Sequence, residues 1–262
     1  MDVDRDAVRR ELREIEAQHQ AGMKPMKNLV EHLYEEDYDS QTRDDLITGG
    51  LNRTRYMKIG GVAVATAAIV AACSSSSKSS SASGDTTAGG SSTTAASKAD
   101  PKDILALKTA SSVEELAVVV YGTAIPLLKN ATYKSVATLF MTQHKDHAGL
   151  FEGATSQAGA QPFTMPNPAV KAQVVDPALP TLKTDKDILE FALTLEMAAA
   201  ATYFSTVGAL KDPKLAYAAM TVGGTEYRHV ALLKAVLGKP IDPTKDAFLT
   251  TTGAVAVGTG VS

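Results

Sequence analysis

Glu114, Tyr121 and His147 recur 82 residues later as Glu196, Tyr203 and His229, with the same internal spacings of 7 and 26 residues. The same shift, without a gap, lays Leu128 on Leu210, Lys129 on Lys211, Ala137 on Ala219 and Leu150 on Leu232. Carboxylate and imidazole are metal ligands and phenol is a common partner for them, so a duplicated helix pair can set two ligand sets face to face. On a helix, residues seven apart differ by only about 20° around the axis. Glu114 therefore shares a face with Tyr121, and Glu196 with Tyr203. His144 and His147 are three apart and share a face, as do Glu226 and His229. Ala117, Ile125, Phe140, Phe151, Ala199 and Leu233, at neighbouring helical offsets, are apolar or small, which turns the ligand-type groups inward. Burying Glu114, Glu196 and Glu226 without compensation is costly, and a bound cation is one standard compensation. Downstream of Cys73 the three histidines all fall at these positions, as do three of the six glutamates.

Plainer readings stand beside this one. A single Glu-x-x-His is common on exposed helices, and Glu115 would replace Glu114 if the helix were rotated. His144 and His147, with Lys145 and Asp146 between them, would also suit an exposed polar turn. Arg228, the only arginine after Cys73, is expected to point away from the ligand face. The Ala-rich stretch after Glu196 reads as close helix packing, and Tyr133, Tyr217 and Tyr227 as packing or surface residues.

Helical apolar spacing from 103 to 238 resolves into four segments, at about 103–129, 131–154, 184–210 and 213–238. KNAT separates the first two and KDPK the last two, so each pair reads as an antiparallel hairpin. Pro213 belongs in the first turn of its helix. Pro126 predicts a kink or early end. Thr184 with Asp187, and Ser112 with Glu115, are placed as caps; a cap at Ser112 would detach 103–110 from the first helix. About 29 residues with five prolines join the two pairs. A crossover that long is needed when the chain must return along the length of a bundle. The expected fold is all-α: an antiparallel four-helix bundle of two duplicated helix pairs joined by a long crossover, preceded by a disordered N-terminal half. The tail over 239–262 reads as a loose strap or a mobile end.

Over about 103–238 these residues resemble the ferritin-like family of bacterial lipoproteins and secreted proteins, relatives of ferritins, bacterioferritins and rubrerythrins. The resemblance implies two iron ions, or manganese. Glu114 and His147 would hold one, Glu196 and His229 the other, and Glu226 would bridge. Tyr121 and Tyr203 would hydrogen-bond outer carboxylates around them. His144 stands where the family pattern expects a second bridging glutamate. An imidazole normally offers one nitrogen to one metal, so this departure makes the metal pair less neutralised.

The N-terminal part points to an address. Residues 1–56 are rich in charge. Residues 57–73 hold the apolar run IGGVAVATAAIVAA and the only cysteine, Cys73. Fourteen apolar residues fall short of the ~20 that span a bilayer but suit a signal peptide. Val70-Ala71-Ala72-Cys73 resembles the bacterial lipobox, so lipid on Cys73 is expected. Arg53, Arg55 and Lys58 resemble a twin-arginine export signal, with Thr54 in place of the second arginine. Residues 74–102 read as a flexible Ser/Ala/Gly-rich tether. Within 1–56, Val8, Leu12 and Ile15 make a narrow stripe, read as a solvated helix or weak coiled-coil seam, and His19 and His32 as surface histidines.

The chain is 262 residues long and 44% hydrophobic, enough for one ordinary domain. Its net charge of −3 points away from a nucleic-acid partner. From Cys73 onward 15 Lys and one Arg face 10 Asp and six Glu, so that part is formally neutral. Two functions follow. One is a lipid-anchored extracytoplasmic protein that binds a metal pair, with oxidase, peroxidase or sequestering activity. The other is a metal-free ferritin-like scaffold acting as an envelope binding protein.

Overall fold

A computed structural model describes residues 4–34, 99–240 and 251–261, all within one compact unit. Arg53, Arg55, Lys58, Cys73 and nearly all of the proposed tether lie outside the described residues.

Five long helices are described: α1 (Arg5–Glu31), α2 (Pro101–Ala124), α3 (Ala131–Gln157), α4 (Asp185–Val207) and α5 (Pro213–Val236). Each opens on a residue whose side chain accepts from orphan backbone amides: Asp4, Asp100, Asn130, Thr184 and Asp212. Thr184 and Asp187 form the expected capping box. Pro213 sits in the first turn of α5, and Pro126 ends α2 early in a 3-10 turn over Ile125–Leu127. The expected Ser112 cap is corrected. Asp100 starts α2 a full three turns earlier, and the Ser112 hydroxyl, inside the helix, donates to the Thr109 carbonyl.

α2 packs on α3 and α4 on α5, giving the expected pair of hairpins. The 82-residue repeat also fixes the ends of the bundle. Asp103 accepts from the amides of Lys211 and Asp212 in the α4–α5 turn, at 2.8 and 3.0 Å. Its repeat mate Asp185 accepts from Lys129 and Asn130 in the α2–α3 turn, at 2.8 and 2.9 Å. Each helix pair thus holds the other's turn.

The crossover is built of short helical turns between Pro168 and Thr181. Buried Asn167 pins it: its side-chain amide donates to Ser112 Oγ and to the Thr259 carbonyl, while its backbone amide donates to the Ser112 carbonyl. The described tail, 251–261, straps the bundle, with the Val255 amide on Thr202 Oγ1 and the Gly258 amide on Thr109 Oγ1.

The solvated reading of the first residues is corrected by α1, a fifth long helix that packs on α3 and α5. Positions 8, 12, 15, 19, 22, 26, 29 and 33 follow the alternating four-three spacing of a coiled-coil seam. Val8 and Ile15 belong to the main core with Tyr133, Val136 and Phe140, and Met26, Leu29 and Leu33 are buried further along. Gly22 allows close approach to α5, because a Cβ there would lie 3.3 Å from Thr221 Cγ2. His19 is the one polar residue of the seam and is fully buried, not on the surface.

Candidate metal centre

Midway along the bundle, α2, α3, α4 and α5 build one buried polar layer. α2 brings Glu114 and Tyr121, α3 brings Gln143, His144 and His147, α4 brings Glu196 and Tyr203, and α5 brings Glu226 and His229. All are buried, with Glu114, His147, Glu226 and His229 fully shut off from solvent. Neighbouring Glu115 is only half-buried, so α2 has the register that turns Glu114 inward. The exposed-turn reading of His144 and His147 is excluded by their burial. Arg228 turns aside and donates to Thr225 Oγ1. Phe140 stacks on the His229 ring at 3.8 Å and Phe151 on Tyr203 at 5.6 Å, so apolar rings from α3 flank the layer.

The contacts divide into two halves with two shared members. Glu226 Oε1 lies 2.9 Å from His147 Nδ1, and Oε2 lies 3.3 Å from His229 Nδ1. His144 behaves alike: Nδ1 is 2.6 Å from Glu114 Oε2, and Nε2 is 3.2 Å from Glu196 Oε1. Glu114 also approaches His147 Nδ1 at 3.4 Å, and Glu196 approaches His229 Nδ1 at 3.2 Å. Two four-residue groups therefore have ligand atoms within 4.8 Å of one another, one of Glu114, His144, His147 and Glu226, the other of His144, Glu196, Glu226 and His229. His144 occupies the position opposite Glu226, where the repeat would call for a carboxylate. Its two nitrogens face one carboxylate in each half, so it ties the halves together by hydrogen bonds, while as a metal ligand a neutral imidazole still offers a single nitrogen.

The tyrosines cross between pairs. Tyr121 donates to Glu196 and Tyr203 to Glu114, so their partners are the central carboxylates themselves and not outer ones. Burial and these carboxylates push both phenols well above their ordinary range, which keeps them protonated donors.

Charge is balanced internally. Burial opposes ionisation of Glu114, but His147 and His144 outweigh it and hold its carboxyl down at about 2. Burial likewise opposes charge on His147, yet Glu114 and Glu226 bring it up to about 9. His144 is raised well above its usual value by Glu226, Glu196 and Glu114 against the same desolvation. The two oxygens of Glu226 receive no hydrogen bond, so the buried carboxylate is compensated only by imidazoles. Such an oxygen-and-nitrogen cluster suits a divalent cation of the iron, manganese or zinc type.

Gln143 and, from α1, His19 join the layer from positions the repeat does not mark. Gln143 Oε1 accepts from His229 Nε2 at 2.7 Å, and its amide donates to Glu16 Oε2 of α1 at 2.8 Å. His19 meets His147 edge-on at 5.2 Å between ring centroids, and burial pushes its imidazole down to about 4. Continuing the Val8, Leu12, Ile15 spacing by one step reaches His19, the signal that could have found it.

Between α2 and α4 a small apolar pocket, walled by Leu116, Val120, Leu195 and Ala199, reaches His144, Glu196 and Tyr121, and Val255 of the tail lines it too. Alanines of the stretch read as pure packing thus form one side of this pocket.

No curated protein and no solved structure matches the chain. Residues 133–239, from the start of α3 to just past the end of α5, match the family model described as a ferritin-like domain, and the all-α bundle with its crossover is of the ferritin-like kind.

Proposed function

We propose that the protein binds a pair of iron or manganese ions in this layer: Glu114 and His147 would hold one, Glu196 and His229 the other, Glu226 stands between them with an oxygen toward each half, and His144 would offer one nitrogen. The observation that carries this reading is the pair of four-residue groups that overlap in Glu226 and His144, each of which turns one atom to each half. Bound iron or manganese would supply redox chemistry toward dioxygen or peroxide. The chain's own residues then do the rest. Tyr121 and Tyr203 hold the terminal carboxylates in place, the flanking phenylalanines exclude water, and the apolar pocket favours a small apolar molecule such as dioxygen over a charged one. Sequestration of metal without turnover uses the same ligands.

The competing reading, a metal-free scaffold, draws on the same layer: protonated His144 between Glu114 and Glu196 can stand in for a cation. Metal per chain decides between them. Full-length protein is stripped, reconstituted with Fe(II) without oxygen, and dialysed. Stoichiometric iron that is lost in Glu114→Ala plus Glu196→Ala supports the metal centre, and substoichiometric iron or no loss in the double variant contradicts it.

For location, we propose a form lipidated at Cys73 on the outer face of the membrane, on the strength of the apolar run, the lipobox and the Arg53, Arg55 and Lys58 signal. α1 and the bundle pack as one unit, so both must lie on the same side of any membrane when they do. The fold described is then that of the unprocessed chain, and a cut before Cys73 discards α1.

A further inference from the structure

The terminal histidines each have one nitrogen turned to the carboxylates and one left over. His229 puts Nδ1 toward Glu196 and Glu226, while its Nε2 enters a relay through Gln143 to Glu16 on α1. His147 puts Nδ1 toward Glu226 and Glu114, and the ring it meets edge-on is His19, also on α1. Neither nitrogen of His19 has a hydrogen-bond partner, and neither does His147 Nε2. A buried imidazole in an otherwise apolar helix seam costs stability unless it is used. Glu16 and His19 are three residues apart, one helical step, and each backs a different histidine.

Metal-bound histidines pass their second N–H to a neighbour that fixes ring orientation and tautomer. We propose that α1 supplies this support for both halves of the centre. Glu16, through Gln143, holds His229 with Nδ1 free for metal. His19 accepts from His147 Nε2–H, directly or through one water, once metal occupies Nδ1. Both are positioning residues, and the inference rests on the metal reading above. Its consequence is that the metal centre of the unprocessed chain differs from that of a chain cut before Cys73, which lacks both residues.

The test uses full-length protein loaded with Co(II), whose visible bands report coordination and whose release to excess chelator reports affinity. Glu16→Ala and His19→Leu are compared with wild type, with His19→Gln as the variant that keeps an acceptor. Val8→Ala shortens the seam away from the site. Glu16→Ala and His19→Leu are expected to keep the wild-type Co(II) per chain, to shift the visible bands and to release metal ~10-fold faster or more. His19→Gln should recover part of the loss, and Val8→Ala should lower the melting temperature with release unchanged. If wild type binds Co(II) while Glu16→Ala and His19→Leu release it within two-fold of the wild-type rate, or Val8→Ala accelerates release as much, α1 is only a cover and this inference fails alone. If wild type takes up no Co(II), the metal reading fails and this inference with it.

Discussion

Tyr203 of α4 donates its phenolic proton to Oε1 of Glu114 on α2, and the repeat mate of that bond runs the other way, from Tyr121 of α2 to Oε1 of Glu196 on α4. Each helix pair lends its tyrosine to the carboxylate of the other, so the duplication acts as a reciprocal clasp through the centre of the bundle. Tyr121→Phe and Tyr203→Phe each leave a buried carboxylate short of a donor. Each is expected to cost about 1.5–3 kcal/mol in urea unfolding of the metal-free protein; a loss below ~0.5 kcal/mol would show that the clasp carries nothing.

The same exchange holds the ends. Asp103→Ala frees the amides of Lys211 and Asp212, and Asp185→Ala frees those of Lys129 and Asn130. Each is expected to lower stability by ~1–2 kcal/mol, the usual cost of a lost cap. The two sites share no partner, so the double variant should be additive to within about 0.5 kcal/mol by the same measurement.

The pH profile of the metal-free protein follows from two opposite shifts. Glu114, held down at about 2 from an ordinary 4.5, contributes stability above 4.5 that is lost as pH falls toward 2. His147, raised to about 9 from 6.5, contributes stability below 6.5 that is lost as pH rises through 9. Melting temperature should therefore peak between about pH 4.5 and 6.5 and fall on both sides, and Glu114→Gln should flatten the acid limb. A profile in which Glu114→Gln leaves the acid limb unchanged contradicts the ion-pair account.

Location is checked in a bacterial host by membrane fractionation and intact-mass measurement. Lipidation predicts a membrane-bound species that begins at Cys73, carries acyl mass and lacks α1, and Cys73→Ala should abolish it. A membrane-bound species that retains residues 1–72 in Cys73→Ala would point to an uncleaved anchor.

Residue spacing was enough to read the bundle and the inward faces, because the 82-residue repeat places Glu, Tyr and His of both halves in one register. It read less where partners are remote in the chain. Asp103 and Asp185 obey the same shift, but their partners are the turns of the opposite pair, which no local pattern indicates. The α1 seam is diluted by the charges around Val8, Leu12 and Ile15, and what buries it lies on α3 and α5, more than 100 residues on. Ser112 lies inside the helix because a strong cap, Asp100 followed by Pro101, begins it earlier than the apolar spacing does. Residue type marks His144 as the one unmatched position of the repeat but does not indicate that its two nitrogens face two different carboxylates.

Whether the layer holds two metals is read by stepwise titration of the metal-free protein with Fe(II) under anaerobic conditions in an isothermal calorimeter. Wild type should show a break at two ions per chain. Glu114→Ala should keep one site, and Glu226→Ala should weaken both. A wild-type break at one ion per chain or fewer, or a Glu226→Ala protein that keeps both sites at full affinity, would contradict a paired centre with Glu226 between the ions.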